Sequence, residues 1–370
     1  MSLRKNMEED TRRNGQLFKM MGEIANDHVV QFSQLGLGDI PEISKFLLSV
    51  WSEGYGPMGS PNLSEDYLQW VLGGPNKCKN LFFGGRTNSE LIAYQSFLYR
   101  TVFYSGKRLN AYLNTHLAVS TQIDLRARLE CGFQMGEQHV LLDARSRYYD
   151  PNCDMVLAFI EAEKPLKYAG DRLLKKCFGI TRFDYMTFNQ FMIMPKRLRN
   201  YVKQNRMEED SNLVRGASKS DFGELTRLFN EMPEDLHFAR MMTEEELEHH
   251  FAGHPNHRTS VVETGGKIRA FINYYPMGII KGSQLSSYII VEFLFSKDRN
   301  LRFMAILLNE ALKLAEEMGA KAVVLENATY LEIDHCQEIG LMPTFRRMTM
   351  SLISKSHPID YLGGFRSDIK

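Results

Sequence analysis

Two titratable residues, His116 and Glu292, stand at the same place in two copies of one segment. Residues 105–120 read SGKRLNAYLNTHLAVS and residues 281–296 read KGSQLSSYIIVEFLFS, at a constant offset of 176. Gly106 falls on Gly282, Leu109 on Leu285, Tyr112 on Tyr288 and Ser120 on Ser296. Each copy reads as a hairpin turn at glycine followed by a strand. An imidazole or a carboxylate there could accept a proton from a nucleophile. On a regular strand both have the wrong parity to face inward, and a bulge would be needed to turn them. Basic residues follow each strand: Arg126 and Arg128 in the first copy, Lys297, Arg299 and Arg302 in the second. Such a cluster at a helix start suits a phosphate.

Other reactive residue types carry less. The run His249-His250-x-x-x-His254-x-x-His257 matches no standard metal spacing, and Gly253 and Pro255 break the helix that would align the rings. A histidine-rich surface loop is expected, and no metal. The five cysteines (Cys78, Cys131, Cys153, Cys177, Cys336) include no C-x-x-C pair. That argues against a disulfide framework or a zinc site and fits a reducing compartment.

The elements that must position these residues come in a repeated order. At 370 residues the chain is long enough for two cores, and 44% hydrophobic with 24% charged content is ordinary for a globular protein. Lys+Arg and Asp+Glu are both 45, so no global field recommends nucleic acid or a membrane surface as partner. No apolar run approaches the length of a membrane span, and the charged start RKNMEEDTRRNGQ does not read as a signal peptide. A cytoplasmic location is the expectation.

Residues 1–28 read as a polar arm, and 29–197 as a first domain. Its strand at Val29–Phe32 leads to Asp39-x-x-Glu42 as a helix start, then a Gly/Pro loop at 54–61 and a short helix at 65–72. A meander at 81–86, 90–104 and 108–119 follows, then a helix over 125–144, a buried strand at 155–160, a helix at 164–176 and a closing strand at 182–194. The charged stretch 198–212 reads as a linker. The order restarts in a second domain over 213–354, where Asp221-x-x-Glu224 repeats the helix start and Leu301–Met318 is a long amphipathic helix. Residues 355–370 form a tail. Both halves read β-α-α-β-β-β-α-β-α-β, an internal duplication.

That order resembles the GNAT acyltransferase superfamily, and two such domains in one chain resemble its N-myristoyltransferase-like members. The resemblance covers about 29–195 and 213–354 and is one of pattern with a few short motifs. Asn114-Thr115-His116-Leu117-Ala118-Val119 is similar to the V-N-F-L-C-V strand of N-myristoyltransferases. It implies an α+β (α/β/α) fold of two tandem GNAT-like domains, each a mixed, mostly antiparallel sheet flanked by helices.

For function the resemblance implies an N-acyltransferase that moves an acyl group, most simply acetyl, from acetyl-CoA or another acyl-CoA to an amine on a small molecule or peptide. The donor would lie along Ala118 and Val119 and over the loop and helix start at Asp124, Leu125, Arg126, Ala127, Arg128 and Leu129. The family's Q/R-x-x-G-x-G/A pattern has no glycine in either copy here; Ala127 and Phe303 stand in the first glycine slot. By position, the backbone N–H of Leu117 would hold the oxyanion, His116 is the titratable neighbour, and Tyr168 would protonate the leaving thiolate. Cys336 fills the tyrosine slot of the second half, without an identifiable base beside it. Trp51, Tyr55, Tyr67 and Trp70 fall where the acceptor binds. Two other readings stay open: a tandem-GNAT binding or regulatory module without catalysis, and a long-chain N-acyltransferase related to N-myristoyltransferase.

Overall fold

A computed structural model describes residues 29–54, 59–104, 106–142, 148–161, 182–207, 209–231, 238–325 and 333–354. The first half runs β1 (Gln31–Gln34), α1 (Ile40–Gly54), β2 (Ser60–Pro61), α2 (Glu65–Leu72), β3 (Leu81–Thr87), β4 (Glu90–Tyr104), β5 (Lys107–Val119), α3 (Leu125–Gln138), β6 (Met155–Glu161) and β7 (Phe183–Ile193). After α4 (Pro195–Gln204) come β8 (Val214–Gly216), α5 (Phe222–Glu231), β9 (Phe238–Met241), α6 (Glu244–Ala252), β10 (Arg258–Thr264), β11 (Lys267–Lys281), β12 (Gln284–Ser296), α7 (Leu301–Glu317), β13 (Val323–Leu325), α8 (Ile333–Glu338) and β14 (Leu341–Ser354). The described elements follow the same order in both halves from β1 to β6 and from β8 to β13, and each half ends on a long strand; the counterpart of α8 lies outside the described residues.

Hydrophobic spacing places the layers. Leu47, Leu68 and Leu72 of α1 and α2 pack on Tyr94 and Leu98 of β4, while Ala127, Cys131 and Met135 of α3 pack on Ile92 and Ala93, side chains of the opposite face. In the second half Phe229, Leu247 and Phe251 of α5 and α6 cover Phe271, and Met304, Leu308 and Leu312 of α7 cover Ile272 and Val291. Each half is therefore a sheet between helices.

The two sheets are one. A 14-stranded sheet runs β1-β3-β4-β5-β6-β14-β7-β13-β12-β11-β10-β8, with β2 on β11 and β9 on β4. The closing strand of each half does not close its own half. β14 lies antiparallel on β6 of the first half, from Met348↔Glu161 to Ser354↔Met155, and β7 lies on β13 through Val324↔Met192. Strands β7 and β14 also pair with each other. A second exchange is reciprocal: β2 pairs with β11 (Ile280↔Ser60), and β9 pairs with β4 (Val102↔Arg240). Gly59 makes the first of these contacts possible. It has φ +80°, and a Cβ there would sit 2.7 Å from Ile279 Cγ2.

The stretch expected as a bare linker contains α4. Leu198 and Val202, four residues apart, are buried against α7, so the charges occupy only its outer face. The first strand begins at Gln31 rather than Val29, and α3 ends at Gln138, short of 144. The helix expected at 164–176 lies outside the described residues. No helix among the described residues is long and apolar enough to cross a membrane.

Candidate active site

Strand β5 has two neighbours that it treats differently. It pairs with β4 almost to its end, Val119↔Ala93, but with the parallel strand β6 only from Ala111↔Met155 to Asn114↔Ala158. β6 continues along β14 to Glu161. The two parallel strands thus part after Asn114 and Ala158 and leave a wedge. A bulge sits at the parting point. The β4–β5 register jumps between Tyr94↔Ala118 and Ser96↔Thr115, and His116 inside that jump has φ +52°. A residue other than glycine in the left-handed region costs about 1–3 kcal/mol and persists where the surroundings impose it. The extra residue bends β5 out of the ladder, which opens the wedge.

The bulge turns His116 onto the α1–α2 face. Its ring stacks 6.2 Å from Trp51 of α1, and its Nδ1 lies 3.1 Å from Ser96 Oγ. Ser96 Oγ donates to the Thr115 carbonyl, which can only accept, so Nδ1 of His116 carries the proton and donates to Ser96. Nε2 is left with its lone pair. Burial, with the Arg100 charge adding to it, pushes the imidazole down to about 4, so the ring is neutral at physiological pH. Leu117, Leu125 and Phe159, at 50%, 60% and 41% exposure, are exposed apolar side chains around the wedge.

The other residues expected at a donor site are placed as follows. Ala118 and Ala127 are buried in the core, on the α1–α2 and α3 sides, and Val119 packs beside Ala127. Asp124 caps α3 by accepting from Ala127 N at 2.8 Å. Arg128 Nη2 donates to the carbonyls of Thr121 (2.7 Å) and Ile123 (3.2 Å), so it braces the loop. Leu129 is half-buried. Tyr168 and Tyr55 lie outside the described residues.

The second half repeats the bulge with different chemistry. Among the described residues β12 pairs with parallel β13 from Ile289↔Val323 to Val291↔Leu325, and its register with β11 jumps between Asn273↔Phe293 and Tyr274↔Val291. Glu292 is the extra residue. Its Oε1 accepts from His250 Nε2 of α6 at 2.6 Å, and its Oε2 is closed off from solvent with no hydrogen-bond partner. Burial raises the carboxyl, but His250 and Arg240 outweigh it, and Glu292 stays ionised below the ordinary carboxylate value. The start of α7 is occupied from outside. Asn300 caps α7, and Arg302 is held by Asp210 and by the carbonyls of Asn205 and Arg206. Cys336 is buried, and burial pushes its thiol up to about 11, which leaves no thiolate for nucleophilic work.

The histidine run is not a surface loop. Trp70 of α2 inserts between the halves, and the run closes around it: His250 stacks at 5.2 Å, and His257 lies 4.3 Å from both Trp70 and Tyr275. Trp70 Nε1 donates to the His249 carbonyl, and His249 Nε2 donates to the Trp70 carbonyl. Packing against a first-half tryptophan buries His257 and half-buries the other three rings, which local spacing could not report.

A pH dependence of stability follows. Burial holds His116 near about 4 and His257 near about 3, and lowers His250 as well. An unfolded histidine titrates near ~6.5, so between there and the folded values only the unfolded chain gains protons. The stabilisation is complete above ~6.5 and is lost as pH falls, at up to about 1.4 kcal/mol per pH step of one for each histidine. Urea midpoints should fall steadily from pH 6.5 to 4.5, with the carboxylates joining in only near the lower end; a flat profile over that window would show these rings to be solvated.

Sequence reasoning missed Ser96, Arg100, Arg240 and the His250–Glu292 pair. One signal was present: Arg100 and Arg240 are single charges inside apolar strand patterns (FLYRTVF and HFARMM), where a charge needs a reason.

No family model and no curated protein sequence matches this chain. Solved structures do. Saccharomyces cerevisiae N-myristoyltransferase with bound myristoyl-CoA and inhibitors aligns with TM-score 0.66 and 14% identity over 89% of this chain and 80% of that one. A GCN5-related N-acetyltransferase from Kribbella flavida aligns with TM-score 0.52 and 13% identity, over 87% and 70%. A probable N-acyltransferase from Enterococcus faecalis gives TM-score 0.52 and 9% identity, over 89% and 74%. The fold is GNAT-like, with an architecture like that of N-myristoyltransferase.

Proposed function

We propose that this protein transfers an acyl group from an acyl-CoA to an amine by direct attack, with the donor in the wedge between β5 and β6. The observation that carries the reading is the coincidence, at His116, of a strand divergence and a left-handed bulge. The wedge gives an acyl-pantetheine arm an open strand edge along Ala118 and Val119. The N–H of Leu117, just past the bulge, is assigned to the oxyanion, because a fixed backbone donor stabilises charge that develops on the carbonyl oxygen. His116 Nε2 accepts a hydrogen bond from the attacking amine; its low basicity makes it an orienting group and a weak proton acceptor. The amine nitrogen bonds to the thioester carbon, the carbon–sulfur bond breaks, and the proton lost by nitrogen ends on the thiolate. Arg126 neutralises the pyrophosphate while Arg128 keeps the loop in shape. The first half is favoured because the small Ala127 stands in the slot that Phe303 fills in the second.

Thermal unfolding with free coenzyme A, acetyl-CoA and myristoyl-CoA tests this reading. A ligand of the folded state stabilises by about 2.7 kcal/mol at a hundredfold excess over its Kd. The apolar side chains around the wedge, and the bound myristoyl-CoA of the yeast neighbour, support a larger shift with the long chain. A larger shift with acetyl-CoA would fix the short donor instead. A second reading, a binding module without catalysis, is favoured by Asp124, whose carboxylate sits where a pyrophosphate would approach. It expects no shift with any thioester.

A further inference from the structure

One oxygen atom holds the bulge residue of β5 at two points. Ser96 is fully buried on β4, opposite Thr115, the last paired residue of β5 before the bulge. Its Oγ donates to the Thr115 carbonyl at 3.0 Å and lies 3.1 Å from Nδ1 of His116. It makes no other hydrogen bond among the described residues.

These two contacts close a ring of atoms. The ring runs from the Ser96 oxygen through the Thr115 carbonyl, the peptide bond to His116, its Cα and Cβ, and the imidazole back to Nδ1. The peptide bond is planar and does not turn. Only φ, χ1 and χ2 of His116 remain soft within the ring, and the two hydrogen bonds fix them together. The left-handed φ of +52° is thereby tied to the direction in which the imidazole points. A side chain without a hydroxyl at position 96 would release both.

The same oxygen decides where the imidazole carries its proton. A serine hydroxyl has a single proton, and a carbonyl can only accept. With that proton given to Thr115, Ser96 can meet His116 only as an acceptor, which requires Nδ1–H. Were the hydroxyl turned to Nδ1 instead, the proton of the neutral ring would sit on Nε2. The lone pair assigned to the attacking amine would then be gone.

We infer that Ser96 is a positioning residue for the proposed acyl transfer. It acts through His116, fixing the tautomer that leaves the Nε2 lone pair and the angle at which that lone pair is presented. This rests on the reading of His116 as the orienting group for the amine, but the tautomer is observable without substrate.

Long-range proton–nitrogen NMR of the full-length, histidine-labelled protein at neutral pH reads the tautomer, and the spectrum of His116→Asn identifies the signals of His116. The parent should show a protonated Nδ1 and a bare Nε2. Ser96→Ala should lower the ratio of Nδ1–H to Nε2–H roughly two- to tenfold, the worth of one hydrogen bond. Ser96→Thr, which restores the hydroxyl, should restore the ratio. With glycinamide as the amine and acetyl-CoA or myristoyl-CoA as donor, kcat should fall in Ser96→Ala by the same factor, with the donor KM unchanged, and recover in Ser96→Thr. A merely structural serine would change the folded fraction and leave the tautomer as it was. Nε2–H in the parent, or a tautomer that Ser96→Ala does not move, overturns the proposal, and the parent spectrum decides even where a variant fails to fold. Thermal shift of the parent by the thioesters separates this role from the reading beneath it. A shift beside an Nε2–H His116 leaves the acyltransferase standing and removes only Ser96. No shift with any thioester removes the acyltransferase, and the role of Ser96 with it.

Discussion

Neither half of this chain should fold when cut from the other. With the backbone interrupted between residues 208 and 209, the fragments 1–208 and 209–370 expressed separately are expected to show no cooperative thermal transition, and co-expression should restore a single one. The reason is the strand exchange at the centre of the sheet. Without β14 the first half loses the partner of β6, and β7 stands apart from β6 with a gap one strand wide. Met350 and Leu352 of β14, each 2% exposed, leave the first half's core with it. Burial of such side chains is worth about 1.5–3 kcal/mol apiece, and a whole domain is stable by only about 5–15 kcal/mol. The second exchange removes β9 from β4 and β2 from β11 at the same time. Circular dichroism melts of each fragment, alone and reconstituted, give the answer. A sharp transition in 1–208 alone would mean that its closing strand can return to its own half.

His116→Asn should lower kcat for acyl transfer by roughly tenfold, the worth of one orienting hydrogen bond, while leaving the stabilisation by acyl-CoA unchanged. Asparagine is the informative substitution. It tolerates the left-handed conformation that position 116 imposes, and its amide can still donate to Ser96. What it removes is the ring and the Nε2 lone pair. An orienting role predicts a fall in kcat with little change in the KM for donor. A merely structural role predicts full activity in whatever fraction stays folded. The same variant also carries a stability signature. It lacks the buried neutral imidazole, so its urea midpoint should fall less steeply than the parent's between pH 6.5 and 4.5, by about 2–3 kcal/mol over the interval. Activity retained together with an unchanged acid profile would remove His116 from the site.

Short-range pattern determined a good deal. The alternation of Glu90–Tyr104 and Lys107–Val119 with a turn at Gly106, repeated in Lys267–Ser296, placed the hairpins, because side-chain burial in a strand has a period of two. The spacing of Met304, Leu308, Ala311 and Leu312 fixed α7. Basic residues after two similar strand segments, and the order of elements, led to the GNAT-like fold that the solved structures share. Equivalent positions for His116 and Glu292 were legible too, as was the condition that only a bulge could turn them.

Tertiary structure decided the rest. Whether β7 pairs with β6 or with β13 is a choice between partners far apart in sequence, and both options present the same alternating apolar face, so periodicity cannot separate them. That β5 leaves β6 after Asn114 depends on β14 holding the far side of β6. The histidines at 249–257 read as exposed because their neighbours in sequence are polar; Trp70, 179 residues from His249, makes them interior. Arg100 and Arg240 acquire meaning only when β9 is laid on β4, since a charge in an apolar strand is unexplained until the opposing half supplies its carboxylate. Sequence alone determined the parts, because periodicity and capping act over a few residues. The folded chain alone decided the candidate site, because its groups meet across long stretches of sequence: His116 with Ser96 and Trp51, and Glu292 with His250.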